Sequence, residues 1–415
     1  MQRLANNSDT MNEKTPLRDW DDVYLATEHD RHPSRTHKNI MLLRNYRQTT
    51  AVLLLIALLV TFCLWRRTTI QTNSDFEIEM KDGFLRSEND TYDATKKIKP
   101  FHGTRLQELD PTLLPGGDSD PRGEKRLIFV GDIHGCSKEL KKLLAKVEFD
   151  SRRDHLIAVG DTISKGPDNV GVLDELMRIG ASSVRGNHED RILALAPAVL
   201  ESGSLPVGTD SYGEKFAKDS KLLRDLSPYH LDYLRSMSLM FRVPPLPQAK
   251  STTQKHSSPI GEEILVVHAG LVPALPLDKQ DPYFVMNMRS IHKKTHAPFA
   301  EAESKKAKTE PWHELWNWYN DRLYNHKSLK DFRVSESTDV SATGTGWFEW
   351  LRKGSSRYPK PQVVVYGHRS KEGLQIERWS KGLDTGCVTG GRLTALVLDA
   401  KGRQDIVHVG CKDYR

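Results

Sequence analysis

Short apolar runs alternate with amphipathic segments between residues 126 and 200. The amphipathic pattern is clearest where Leu140, Leu143, Leu144 and Val147 recur at helical spacing. In chain order, the predicted elements are strand Arg126–Gly131, helix Ser137–Val147, strand His155–Gly160, helix Asn169–Ile179, strand Ser182–Arg185 and helix Asp190–Leu200. This alternation predicts an α/β fold in which right-handed crossovers join parallel strands. Later strands are predicted at Ile264–Val267, Gln362–Tyr366, Leu393–Leu398 and Asp405–Val409.

A separate apolar run lies near the N-terminus. No charged residue occurs from Gln48 to Trp65, and these 18 residues are just enough to cross a bilayer. We predict a transmembrane helix over residues 48–65, with a buried core helix as the alternative. Bulky residues end the run, which disfavours a cleaved signal peptide. Five basic residues precede the run within 20 positions and three follow it, so we expect a single-pass type II protein with a cytoplasmic N-terminus.

Polar segments flank this predicted helix. Residues 1–47 contain eight Lys and Arg and seven Asp and Glu without an apolar period, and they are predicted to be a disordered cytoplasmic tail. Residues 66–124 are polar and turn-rich, which predicts a stalk, and the Asn89 glycosylation sequon lies in it. We expect one domain over residues 125–415, with loop insertions at Pro244–Gly261 and Lys293–Pro311.

Composition excludes several classes of protein. The formal net charge is +6 for 415 residues, which is too small for a dedicated nucleic-acid binder, so no nucleic-acid partner is expected. Hydrophobic residues make up only 37% of the chain, which excludes several membrane spans. Four cysteines are too few for a disulfide scaffold or a cysteine-based zinc module.

Polar clusters follow five of the predicted strands. They are Gly131-Asp132-Ile133-His134-Gly135, Gly160-Asp161, Gly186-Asn187-His188-Glu189, His268-Ala269-Gly270 and Gly367-His368. Each one alone is compatible with a turn, a helix cap or an ordinary histidine. Together they indicate a site, because ligands bind beyond the carboxyl ends of strands in open α/β sheets. Oxygen and nitrogen ligands without sulfur suit Zn, Mn or Fe, and a pair of such ions suits phosphoryl transfer.

These clusters resemble the five motifs of calcineurin-like metallophosphoesterases, in the branch that contains the protein Ser/Thr phosphatases. The resemblance covers about residues 125 to 410 and implies a β-sandwich flanked by helices, an α/β/β/α arrangement. It implies two divalent metal ions, zinc foremost and Mn, Co or Fe otherwise. The implied ligands are Asp132 and His134 for one metal, Asp161 as a bridging catalytic residue, and Asn187, His268 and His368 for the other. The resemblance also implies that His188 is the general acid that protonates the leaving oxygen.

The second motif departs from the family pattern. Ser164 stands where an Asp of the protein phosphatases pairs with the catalytic histidine, so Glu189 or another acid would have to replace that carboxylate. Lys165 stands where an Arg binds phosphate, and an ammonium cannot form the same two-pronged contact. Both departures disfavour ordinary phosphoprotein specificity.

Two finer resemblances bear on the substrate. Residues Leu383–Leu396 are similar to the tails of bacterial-type phosphatases and diadenosine tetraphosphatases. The N-tail, single anchor and altered domain together resemble the fungal vacuolar endopolyphosphatases of the superfamily. That resemblance implies internal cleavage of inorganic polyphosphate by a hydroxide that two metals activate, at the vacuole membrane or in its lumen. A tethered Ser/Thr phosphoprotein phosphatase, a dinucleoside polyphosphate hydrolase and a noncatalytic binding protein remain alternatives.

A polyanionic substrate requires cationic side chains around the site. We predict that Arg185, Lys165 and Arg289 bind substrate. Weaker candidates for the same role are Arg191, His292, Lys293, Lys294 and Arg369.

Two expectations concern other parts of the chain. The tail predicted to be cytoplasmic contains only two lysines, Lys14 and Lys38, and we expect that they could accept ubiquitin for recognition by sorting machinery. Cys387 and Cys411 could form a disulfide in an oxidising lumen.

Overall fold

The computed structural model describes residues 50–63, 101–200, 213–250, 260–325 and 360–415. The chain divides into an N-terminal unit, in which only a helix is described, and a second unit that begins at Ile78. Helix α1 covers residues 50–63, inside the predicted membrane span. Among the helices of these ranges, none has both the length and the apolarity that crossing a membrane requires. The predicted tail, the Asn89 sequon, Lys14 and Lys38 lie outside the described residues.

The second unit is built on β-strands. Strands β1 to β14 are, in order, Leu106–Glu108, Arg126–Val130, Asp154–Ala158, Ser182–Ser183, Met240–Val243, Glu263–Val267, Ser290–His292, Pro298–Phe299, Thr309–Pro311, Gln362–Tyr366, Gln375–Ile376, Ser380–Gly382, Arg392–Asp399 and Gln404–Gly410. One sheet has the order β1-β5-β6-β10-β12-β11 and the other has the order β14-β13-β2-β3-β4. Strands β2, β3 and β4 run parallel, and so do β6, β10 and β12. The carboxyl ends of parallel neighbours therefore share one edge of each sheet.

Helices pack beside these sheets. Helices α2 to α8 are, in order, Ser137–Lys146, Asn169–Arg178, Asn187–Leu200, Gly213–Asp225, Pro228–Ser236, Pro282–Asn287 and Trp312–Asn325. Asp168 caps α3 by accepting a hydrogen bond from the Gly171 amide, and Ser227 caps α6 through the His230 amide. The arrangement confirms the predicted α/β fold.

Alternate side chains of β2 belong to different parts of the core. Leu127 and Phe129 pack with Val364 of β10, in the cluster to which both sheets contribute. Ile128 and Val130 pack with Leu140 of α2 on the other side. Because successive strand residues point to opposite faces, the four apolar residues that follow Arg126 in this strand are buried on both faces.

The structure revises several predicted boundaries. Residues 101–124, expected to be part of a stalk, belong to the folded unit: β1 pairs in parallel with β5, and Leu109 is buried. The predicted insertion over residues 293–311 contains β8 and β9, which pair with β7 in a small antiparallel sheet. Helix α4 begins at Asn187, three residues before the predicted start, so His188 lies in its first turn.

Candidate metal centre

The polar clusters converge at the strand ends. Asp132 and His134 follow β2, Asp161 follows β3, and Asn187 begins α4. His268 follows β6 and His368 follows β10, both in the other sheet. The centre therefore lies where the ends of two sheets meet.

The backbone at this centre has unusual conformations. His134, Asp161, Ser164, Lys165 and His368 have φ of 48°, 50°, 74°, 67° and 68°. Only four other non-glycine residues of the described chain have positive φ, so such conformations concentrate here. Positive φ is costly for residues with a Cβ, and functional sites are where folds retain it.

Two glycines allow the main chain to approach carboxylates closely. A Cβ on Gly367 would lie 2.0 Å from Asp132 Oδ1, and one on Gly186 would lie 2.3 Å from Asp161 Oδ1. No larger residue fits either position without displacing a predicted metal ligand.

Asp161 is the central side chain. Its Oδ2 lies 3.5 Å from His134 Nε2 and 3.8 Å from His188 Nε2, and its Oδ1 lies 3.4 Å from His268 Nε2. The amide of His188, in the first turn of α4, donates a hydrogen bond of 3.0 Å to Oδ1. One carboxylate thus faces imidazole nitrogens on two sides, which is the placement that a bridging ligand needs.

A second group of ligand atoms lies beside Asp161. Asn187 Oδ1 is 3.0 Å from His268 Nε2 and 3.1 Å from His368 Nδ1, and these two nitrogens are 3.2 Å apart. The His368 amide faces both oxygens of Asp132 at 3.2 and 3.3 Å. The structure therefore brings together all six side chains predicted to be metal ligands.

The donor set fits divalent metal ions. His134 Nδ1 faces the Ile163 carbonyl at 3.1 Å, and His268 Nδ1 faces the Val159 carbonyl at 2.9 Å. Each carbonyl holds the ring so that Nε2 points at Asp161, as the hydrogen-bond partner of the far ring nitrogen does in metal-binding histidines. Two groups of neighbouring donor atoms result, His134, Asp161 and His188 in one and Asp161, His268 and His368 in the other.

Burial alters the acid–base character of these groups. It raises the pKa of Asp161 to about 7 and lowers the pKa of His134 to about 3, because loss of water penalises the charged form. It likewise raises the pKa of Asp132 and lowers those of His268 and His368. Neutral imidazoles are ready to bind a cation, and a cation would displace the carboxyl protons.

A small pocket of about 100 Å³ opens onto the centre. Its lining consists of Asp132, His134, Asp161, Lys165, Asn187, His188, Arg289, His368, Ser370, Asp384, Gly386, Val388 and Thr389. Lys165 and Arg289, which were predicted to bind substrate, both belong to this lining, and Lys165 Nζ lies 2.9 Å from His134 Nε2.

Arg185 is buried outside this lining. Its guanidinium donates hydrogen bonds to the carbonyls of His102 and Arg235 at 3.1 and 2.9 Å and lies over the Phe101 ring. This position gives Arg185 a structural contact with the segment before β1 and does not support the predicted phosphate contact.

The weaker cationic candidates also lie outside the lining. Lys293 pairs with Glu310, and Arg369 pairs with Glu303 and Glu372. The ring of His292 faces the Lys294 and Thr295 amides, and Arg191 lies behind His188.

Glu189 does not replace the missing carboxylate partner of His188. Its side chain is fully buried and accepts hydrogen bonds from the amides of Asp161, Thr162, Ile163 and Gly186 and from the Thr162 hydroxyl. Burial raises the pKa of this carboxyl, and these donors oppose that effect. Glu189 therefore connects the second and third polar clusters.

Asp384 is a pocket residue that sequence reasoning did not single out. It directly follows Leu383 after β12, hydrogen-bonds to Asp132 and is almost fully buried. The strand-end pattern does not identify it, because the preceding strand Ser380–Gly382 is short and polar and no strand is predicted there. Next to it, Cys387 and Cys411 form a disulfide, so a covalent bond holds the pocket wall at Gly386 to Thr389.

Comparisons with known proteins identify the family of this chain. A family model of calcineurin-like phosphoesterases matches residues 125–384. The chain is 28% identical to a symmetrical bis(5'-nucleosyl)-tetraphosphatase of Delftia acidovorans over 69% of its own length and 97% of the relative. A protein of the same name from Nitrosospira multiformis is 26% identical, over 65% and 91%. A crystal structure of a candidate diadenosine tetraphosphatase is 26% identical, with a TM-score of 0.49 over 74% of this chain and 99% of that one. The match to the family model shows that this chain belongs to the calcineurin-like phosphoesterases.

Proposed function

We propose that this chain is a metal-dependent hydrolase of phosphoanhydride bonds and that a dinucleoside polyphosphate is its substrate. The observation that supports it best is the convergence of two ligand groups on Asp161 beside a pocket with two cationic side chains. The named relatives support the substrate class, because the matches span more than nine-tenths of their length.

Asp132 and His134 would hold one divalent cation, Asn187, His268 and His368 the other, with Asp161 between them. When bound, such a pair of cations activates water and neutralises charge on the transferred phosphoryl group. Lys165 and Arg289 then bind the non-bridging phosphate oxygens, and His188 Nε2, which faces Asp161, donates to the leaving oxygen.

Inorganic polyphosphate is a second candidate substrate, and the composition of the pocket favours it. Among the described residues that line the pocket, none is a Phe, Tyr or Trp that could stack on a nucleobase. Lys165 and Arg289 can bind phosphates of either substrate. The assay described below therefore also tests the endopolyphosphatase activity expected from the sequence.

We also propose that the catalytic domain resides in an oxidising compartment, because disulfides persist there and are rare in the cytosol. The bond between Cys387 and Cys411 supports this placement. The vacuolar, type II location stays a prediction, which protease protection of the catalytic domain in intact vacuoles would test.

The decisive assay uses the full chain, stripped with a chelator and reloaded with Zn²⁺, Mn²⁺ or Co²⁺. Diadenosine tetraphosphate, long-chain polyphosphate and a phosphoserine peptide are supplied separately, and the products are resolved by anion-exchange chromatography. Release of nucleotides from diadenosine tetraphosphate supports the proposal. Shortening of polyphosphate alone would instead identify inorganic polyphosphate as the substrate. Turnover of the peptide alone would refute both.

Asp161→Asn tests the site itself. It removes the charge of the bridging position and should abolish turnover of every substrate. Asp232→Asn, at an exposed acid paired with Arg235, is the matched control and should keep wild-type activity.

A further inference from the structure

The two ring nitrogens of His188 face different surroundings. Nε2 faces Asp161 on the pocket side, at 3.8 Å from Oδ2. Nδ1 lies 3.2 Å from Nη2 of Arg191, one helical turn further along α4. The neighbour of this histidine on the side away from the pocket is therefore a guanidinium.

Arg191 is itself fixed in place. Its Nε and Nη2 donate hydrogen bonds of 2.8 and 3.1 Å to the carboxylate of Asp219 on α5. Asp219 is buried, and three quarters of the Arg191 side chain is removed from solvent. Planar pairing through two nitrogens fixes both the position and the orientation of the guanidinium.

A guanidinium can only donate hydrogen bonds. Where Arg191 donates to Nδ1 of His188, this nitrogen must be the acceptor, and the single ring proton then lies on Nε2. Neither of the two residues considered as a carboxylate partner of His188 takes the place of Arg191 at Nδ1. Ser164 Oγ is buried without a hydrogen-bond partner, and the Glu189 carboxylate accepts hydrogen bonds from main-chain amides.

We propose that Arg191, held by Asp219, is a positioning residue that fixes His188 with its proton on Nε2, as a donor to the oxygen that leaves from a phosphoanhydride. The inference rests on the proposed function and deepens it. A leaving phosphate is weakly basic, with a second pKa near 6, so a hydrogen bond from a neutral imidazole suffices. An alcohol oxygen leaving from phosphoserine is far more basic and requires a full proton, so this arrangement favours anhydrides over phosphoproteins.

The tautomer can be measured directly on the Zn²⁺-loaded full chain labelled with ¹⁵N-histidine. Two-bond ¹⁵N–¹H correlation spectra separate a protonated from an unprotonated ring nitrogen, and His188→Gln assigns the signals. We expect a protonated Nε2 and an unprotonated Nδ1 in the wild type. A proton on Nδ1, or loss of the Nε2 proton because this nitrogen binds zinc, would overturn the proposal even if every variant failed to fold.

Variants test the role of Arg191 independently. Arg191→Ala should lower kcat for diadenosine tetraphosphate by roughly tenfold or more with KM nearly unchanged, because the donor acts in the chemical step. Arg191→Lys keeps a donor near Asp219 and should recover part of kcat. Arg178→Ala removes an exposed pair with Glu175 and serves as the control for loss of an ion pair.

Two results would contradict this role: an unchanged kcat in Arg191→Ala, or the wild-type tautomer in its spectrum. Absence of turnover in the wild type on all substrates would refute the proposed function alone, because the spectrum reads the tautomer without turnover.

Discussion

The Glu189 carboxylate offers a direct test of how the centre is held together. Glu189→Gln changes one oxygen to an amide nitrogen with almost no change in volume. Oε1 accepts from the Thr162 amide, the Thr162 hydroxyl and the Ile163 amide, and Oε2 accepts from the amides of Asp161 and Gly186. Whichever way the new amide turns, its nitrogen faces two main-chain donors that lose their acceptor.

Each buried donor left without a partner costs about 1–3 kcal/mol, so Glu189→Gln should lower the free energy of unfolding by roughly 2–6 kcal/mol. That is a large part of the typical stability of a domain. The loop that carries Asp161 loses its main anchor at the same time, so affinity for metal should also fall.

Urea unfolding in excess chelator measures this effect without any contribution from bound metal. Glu175→Gln is the control, because the Glu175 carboxylate accepts hydrogen bonds from the exposed Arg178 guanidinium, which can turn to water when the charge is lost. The control should lie within about 1 kcal/mol of wild type. Equal loss of stability in the two variants would refute the role of Glu189 as an acceptor for the main chain of two clusters.

Three further predictions concern other groups. Burial lowers the pKa of His155 to about 4, below the value near 6.5 of an unfolded chain, so its contribution to stability is complete above pH 6.5 and is lost as pH falls towards 4. His155→Gln should remove about 2 kcal/mol of the decrease in unfolding free energy between pH 7 and pH 5, and identical pH slopes would contradict this. The disulfide spans 24 residues, so replacing Cys387 and Cys411 by serine should lower the urea midpoint by an equivalent of about 3 kcal/mol and abolish its response to reductant. Burial raises the pKa of the Cys136 thiol to about 12, so iodoacetamide should label Cys136 far faster in urea than in the native protein, and equal labelling rates would show that the native thiol is accessible.

The parts of the fold that could be predicted from the sequence are those in which the spacing of apolar residues is compatible with only one secondary structure. Strand β2 and helix α2 were predictable because an apolar run buried on both faces and a leucine stripe each permit one structure. The six predicted ligands were found because each follows a strand end or begins α4. Helix α4 was placed three residues too late because a polar Gly-Asn-His start has no apolar period, although such residues are suited to a helix N-terminus.

The direction in which a side chain points, and the residue with which it pairs, could not be predicted in the same way. Arg185 stands one residue before the third cluster, but its contacts with two carbonyls and the Phe101 ring depend on a segment far away in sequence. That segment, residues 101–124, is polar and turn-rich, and its pairing with β5 depends on tertiary contacts that no local period reveals. The pairing of Arg191 with Asp219 likewise joins two helices across 28 residues.

The separation of the predicted ligands along the chain has a consequence for how the protein folds and acquires metal during its synthesis. Asp132 and the His368 amide that contacts it are 236 residues apart, and β2 is completed only by β13, which begins at Arg392. A nascent chain therefore lacks His368, one of the three residues of the second donor group, until most of the domain has been synthesised. Non-local pairings of this kind form late in folding. We therefore expect this chain to acquire its full metal complement only after most of the domain has been synthesised.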